Sequence, residues 1–296
     1  MSRPAHQASR TTGTIASSEC RWHAALELCF RRSGNRTRLV ASRHHGPLCV
    51  QRPFYPEQGG SCHVVLLHPP GGIVGGDVLE IDVSLEEEAE VLFTTPAAAK
   101  FYRSGGPWGR QRQTLRARAG SRLEWLPQET IVFDGALAEI ATRVELEGDA
   151  RFAGWEILCL GRTASGERLH GGEVRQRFEV WRDGKPLRIE RSQLNAGSPV
   201  MDEGWGLAGR PVLGSFTVTA DESRDDIRRL VSRVRRALPE LPNGDLASIT
   251  ALEGVLVCRY LGASTETARG CFERAWGVLR PALLGAAAHP PRIWAT

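Results

Sequence analysis

Four carboxylates occupy positions where a charge is expensive, and chemistry is sought there first. Asp77 closes the string HPPGGIVGGD (residues 68–77), and Asp134 stands beside glycine in LPQETIVFDGA. Glu156 lies inside the apolar string GWEILCLGR, and Glu190 sits near the end of KPLRIER. An unpaired carboxylate among apolar groups is costly, so each must pair with an arginine, cap its own loop or meet a cation. Carboxylate oxygens suit a divalent cation that is held weakly and exchanged. For Glu156 the nearby arginine is Arg162, and such pairing is the structural alternative to a cation role.

Other constellations exclude themselves. Gly71, Gly72, Gly75 and Gly76 permit positive φ or the close approach of another backbone. No Lys-Ser/Thr follows them and their spacing is not G-x-G-x-x-G, so the loop is not a phosphate cradle. What remains is a tight strand connection, opening at His68, that carries one carboxylate. Ser104 has no G-x-S-x-G elbow around it, which removes the basis for a hydrolase. His44, His45 and Cys49 are soft-metal ligand types, but adjacent histidines on an extended chain point to opposite faces. The seven cysteines include no C-x-x-C pair and no structural zinc spacing. Cys159 and Cys258 lie in apolar strings, where cysteine packs as a small hydrophobe.

The elements that must position these residues read mostly as strands. Val64–Leu67 is a continuous apolar run, and Val78–Val83 alternates apolar with acidic residues. Pro69 and Pro70 stop the first of these strands. A hairpin is expected at Gly34-Asn35, another across TLRARAG and RLEWLP, and a third at the Asp183-Gly184 turn. AAAKFYRSGG reads as a short helical turn or a bend. Two helices are expected late: one capped by Asp221 or Ser223 with Ile227, Leu230, Val231, Val234 and Leu238 on one face, and one from Ser264 to Pro281. The expected architecture is a large, mostly antiparallel β body with two late helices. Residues 1–20 lack apolar periodicity and read as a disordered leader, with a single domain over residues 21–296.

Composition narrows the functional class. Apolar residues make up 41% and charged residues 24%, which are globular values, and the net charge is +4. Of the 38 basic residues only Lys100 and Lys185 are lysine. Arginine favours bidentate pairing with carboxylates over a loose cationic surface. The arginine-rich helix at 224–236 is the sole argument for nucleic acid, and no arginine block is dense enough to form a binding arm. No secretory h-region or membrane-length apolar run is present, so a cytoplasmic protein with reduced thiols is expected.

Six strings occur in register: GPLCVQRPFYPE (46–57), HPPGGIVGGD (68–77), TTPAAAKFYRS (94–104), LEWLPQETIVFDGA (123–136), EILCLGR (156–162) and the closing PRIW (291–294). Together they resemble the urease accessory protein UreD family, also called UreH, over residues 22–296. The resemblance implies a non-enzymatic, mostly-β protein with a layered or helical arrangement of strands. It implies binding to a UreF-like accessory protein, through it to a UreG-like GTPase, and to urease apoprotein. Nickel delivery would be driven by GTP hydrolysis on the GTPase, with nickel transient and no cofactor permanently bound. Asp77, Asp134, Glu156 and Glu190 are then candidate points on a nickel path. Phe54, Tyr55, Phe101, Tyr102 and Trp276 are candidate partner anchors, since aromatic residues dominate interface energetics.

Overall fold

A strand with one apolar row must find a second layer to cover it, and this chain supplies that layer by winding. The computed structural model describes residues 22–242 and 244–295; the expected leader lies outside the described residues. The winding segment comprises β4 (Cys62–Leu67), β5 (Val78–Leu85), β6 (Glu90–Thr94), β7 (Ala99–Phe101), β8 (Gly109–Ala117), β9 (Arg122–Trp125), β10 (Thr130–Val132), β11 (Leu137–Leu146), β12 (Arg151–Leu160) and β13 (Glu173–Arg182). Before it come β1 (His23–Ser33), β2 (Arg36–His45) and β3 (Cys49–Val50). After it come β14 (Lys185–Asn195), the single turn α1 (Pro199–Asp202), β15 (Val212–Thr219), α2 (Arg224–Ala237), β16 (Leu246–Leu252), β17 (Val255–Gly262) and α3 (Thr265–Leu279).

Two stacked sheets result. The seven-stranded sheet has the order β14-β13-β11-β8-β5-β1-β2, and the larger sheet runs β16-β17-β15-β12-β9-β6-β4-β3. From β4 to β13 the chain winds between them, with β5, β8, β11 and β13 in the smaller sheet and β4, β6, β9 and β12 in the larger, which β10 extends by pairing with β12 and β7 by pairing with β10. Neighbours within the winding are therefore parallel: β5 with β8, β8 with β11 and β11 with β13 in one sheet, and β4 with β6, β6 with β9 and β9 with β12 in the other; β1 joins the first by pairing parallel with β5. The expectation of a mostly antiparallel body is corrected on this point. Antiparallel pairing is confined to the flanks, at β1–β2, β3–β4, β13–β14, β12–β15, β15–β17 and β16–β17. TLRARAG and RLEWLP are likewise no hairpin, since β8 and β9 belong to opposite sheets. AAAKFYRSGG is strand β7 and the corner that follows it. The hairpins at Gly34-Asn35 and Asp183-Gly184 form as expected.

The burial pattern explains the stacking. β5 alternates half-buried and buried residues along its whole length, and Leu79, Ile81, Val83 and Leu85 face the space between the sheets. β12 is covered on both sides. Phe152, Leu158 and Leu160 join the inter-sheet core, while Trp155, Ile157 and Cys159 join a second core beneath α2 and α3. That double coverage accounts for the near-continuous apolar run in its sequence. Ser223 and Ser264 cap the helices by accepting hydrogen bonds from Asp226 N and Thr267 N, each at 3.2 Å. Asp225 and Asp226 in the first turn of α2, with Arg235 and Arg236 in its last, complement the helix dipole. α3 does not end at Pro281 but continues as a π-helical turn over Arg280–Leu284.

Candidate functional site

The glycine-rich string 68–77 is a corner of the coil, carrying the chain from β4 in one sheet to β5 in the other. Both uses of its glycines are realised. Gly71 and Gly76 have φ of +75° and +98°. A Cβ on Gly72 would lie 2.0 Å from the Tyr102 ring, and one on Gly75 2.2 Å from Ser104 Oγ. The corners of successive coils stack through backbone hydrogen bonds, with Tyr102 N donating to Ile73 O (2.9 Å) and Ser104 N to Gly135 O (3.0 Å). Asp77 and Asp134 therefore hold corresponding corners of different coils.

Asp77 is buried, and its Oδ2 accepts from Val74 N at 3.0 Å, so it caps its own loop. Asp134 accepts from His170 N (2.8 Å) and Gly171 N (2.7 Å) and pairs with Arg103 (3.2 Å). The two backbone donors hold its pKa below the usual carboxylate range. Ser104 is spent on the turn, donating to Pro107 O. Glu190 is held by Arg188 and by both terminal nitrogens of Arg259, at 3.0 and 3.3 Å.

Glu156 is different. It projects between the sheets, where Thr142 donates to Oε1 (2.5 Å) and Gln176 Nε2 donates to Oε2 (2.6 Å). The expected partner, Arg162, pairs with Glu167 instead, at 2.6 Å. Burial pushes the Glu156 pKa up against these two hydrogen bonds and the field of Arg188. Burial, then repulsion from Arg259, lowers Arg188 to about 10.

Two spaces meet at this carboxylate. A cavity of about 150 Å³ runs between the sheets and is lined by His68, Gln111, Gln113, Lys100, Gln176 and Glu156, among apolar neighbours. A cleft of about 490 Å³ opens between β14 and β16–β17, with Glu156, Gln176, Glu190, Ser192 and Arg259 on its walls. Glu156 and Gln176 line both. The structure thus brings His68, Glu156 and Glu190 along one line of cavities, while Asp134 stays at an outer corner. Desolvation lowers the pKa of His68, against the opposing field of Asp77, so its imidazole is neutral at neutral pH. Among the described residues, no group of three or more His, Cys, Asp or Glu stands close enough to hold a metal ion.

The sequence reading missed the amides. Gln113 is followed on its face by Leu115 and Ala117, Thr142 lies between Ile140 and Val144, and Gln176 between Val174 and Phe178. A polar residue breaking an apolar row at period two was the available signal. Of the proposed anchors, Phe101 and Trp276 are buried at 1% exposure each and have no surface to offer a partner. Phe101 lies in the inter-sheet core, and Trp276 Nε1 donates to Glu124 at 2.6 Å. Tyr55 packs partly on the core beneath Arg36, and Tyr102 packs edge-on against Phe133. Phe54 remains exposed, and Trp205, unnoticed in the sequence, is the most exposed large apolar side chain among the described residues at 73%.

Comparison with known proteins adds a family. The model of the UreD urease accessory protein family matches residues 23–295. A urease accessory protein UreD 2 of Brucella anthropi is 46% identical over 277 residues, covering 93% of this chain and 98% of that protein. The urease accessory proteins UreD of Dechloromonas aromatica and of an Azoarcus species are each 45% identical, over 93% of this chain and 95% and 94% of their own lengths.

Proposed function

Because the chain belongs to the UreD urease accessory protein family, we propose that it is a non-enzymatic scaffold through which nickel reaches urease. In this reading it joins a UreF-like protein, and through it a UreG-like GTPase, to urease apoprotein in the cytoplasm. Nickel is cargo, passed on and never retained. The observation that supports this most strongly is the row of amides, a hydroxyl and Glu156 inside an otherwise apolar inter-sheet space, with one cavity leading up to that carboxylate and another leading away. Buried polar groups are costly unless they are satisfied or used.

The donor set suits transit. Ni²⁺ accepts imidazole, carboxylate and water oxygen, and single ligands in series bind weakly enough to release. Neutral His68 lines the inter-sheet cavity, Glu156 lines both spaces, and Glu190 stands on the wall of the outer cleft. Asp77 shapes the corner beside His68, and Asp134 fixes the equivalent corner of a later coil. Phe54, Tyr55 and Tyr102 remain the candidate anchors for the UreF-like partner.

The test is co-expression of urease subunits and the other accessory proteins with and without this chain, scoring nickel per urease active site. Loading that depends on the chain supports the reading. Equal loading in both removes it.

A further inference from the structure

Where the inter-sheet cavity meets the outer cleft, the two sheets are also clasped together. β14, the edge strand of the seven-stranded sheet, carries Arg188 and Glu190 two residues apart, hence on one face. β17 of the larger sheet carries Arg259. Arg259 joins Glu190 across the cleft of about 490 Å³, Nη1 donating to Oε1 at 3.0 Å and Nη2 to Oε2 at 3.3 Å. Arg188 donates to the same Oε2 and, from its other terminal nitrogen, to Thr217 on β15. Oε2 is therefore shared by two guanidiniums, whereas Oε1 is held by Arg259.

The two arginines differ in freedom. Arg188 is 5% exposed, its guanidinium lies 5.1 Å from the centre of the Phe178 ring, and its field reaches Glu156. Withdrawing it would strand a charge in the interior. The Arg259 side chain is 60% exposed, and a pair so open to water is held weakly. Charge is balanced at this point. Glu156 and Glu190 offer at most two negative charges, and Arg188 and Arg259 supply two positive ones. A divalent cation arriving there meets no net attraction, and a guanidinium beside a narrow path repels it.

We infer that Arg259 gates the outer cleft, an inference that rests on the nickel route proposed above. With Arg259 on Glu190, the junction is closed to a divalent cation by charge. When the Arg259 side chain swings into solvent, Oε1 of Glu190 is freed as a ligand and the junction gains one unit of negative charge. Arg188 stays behind and keeps the carboxylate oriented through Oε2, as a partner behind a metal-binding group does.

The test measures Ni²⁺ binding to the purified full chain by equilibrium dialysis, with the melting midpoint of each variant checked against the parent. Arg259→Gln removes the charge at an exposed position and should bind Ni²⁺ roughly tenfold more tightly than the parent, the size expected for lifting one charge at close range in a wet cleft. The gain should vanish in Arg259→Gln/Glu190→Gln. Arg259→Lys keeps the charge and should stay nearer the parent, a distinction that a merely structural ion pair would not produce. Affinity unchanged in Arg259→Gln, a gain that survives the loss of Glu190, or an equal gain in Arg259→Lys overturns the gate. These readings are made without urease, so the gate can fail while nickel loading still depends on Glu156, and the route can fail at Glu156 while the affinities stand.

Discussion

Replacing Arg280 by methionine should cost the protein about 3–5 kcal/mol, the usual penalty for removing one partner from a buried ion pair. Arg280 is 2% exposed and ties the turn after α3 to the chain before β4 and to β9. Its terminal nitrogens reach Glu57, before β4, at 2.8 Å each, and its Nε reaches Glu124 on β9 at 2.9 Å. Without the guanidinium, two carboxylates stay in the interior with His63 and Trp276 as their remaining partners. At about 2–4 °C per kcal/mol for a chain of this size, the midpoint falls by about 6–20 °C. The pH dependence adds a second signature. Burial alone would raise Glu57, but hydrogen bonds from His63 and Arg280 hold it at about 2. A folded pKa below the unfolded value contributes stability that is fully present above the unfolded pKa of 4.5 and is lost as pH falls toward about 2. In Arg280→Met the orphaned carboxylates gain from protonation, so the deficit should narrow on acidification. Urea denaturation at about pH 7 and about pH 4 measures both effects. Replacing Glu57 and Glu124 by leucine in the same variant should restore much of the loss. A deficit under about 1 kcal/mol at both pH values would refute the reasoning.

Three further outcomes are expected. Gly172→Ala should lower stability by about 2 kcal/mol or more, because φ is +94° and a Cβ would lie 2.1 Å from Ala136 O; a midpoint within error of the parent contradicts this. Ser223→Ala removes the acceptor for Asp226 N and should cost about 1 kcal/mol, with faster amide exchange confined to the first turn of α2. Burial pushes the Cys258 thiol up to about 12 and Cys271 to about 11, so both should resist a thiol reagent in the folded protein and react on unfolding, after half-buried Cys49.

Strand positions were legible in the sequence, whereas their partners were not. Period-two patterning marks which row of β5 or β11 faces inward, and the Ser223 and Ser264 caps mark where helices begin. Pairing in a wound sheet lies between β5 and β8 or β8 and β11, with two strands of the other sheet between them in sequence, and no local pattern reports that. The hairpins at Gly34-Asn35 and Asp183-Gly184 were found because their turns are local, whereas the one expected across TLRARAG and RLEWLP is a crossing between the two sheets. Glu156 was visible as a charge in an apolar run, but its neighbours Thr142 and Gln176 come from β11 and β13 and not from nearby Arg162. Trp276 and Phe101 show the opposite failure: aromatic type suggests an anchor, while burial is decided by the tertiary fold.

The central claim, that nickel passes the inter-sheet junction on its way to urease, is tested most directly at Glu156. Glu156→Gln keeps the side-chain volume and can keep hydrogen bonds to Thr142 and Gln176, while removing the carboxylate. The measurement is nickel per urease active site after co-expression, with the accessory complex recovered and quantified in parallel. The account predicts an assembled complex in normal amount and a severalfold fall in nickel. An assembled complex that loads nickel as well as the parent would contradict it.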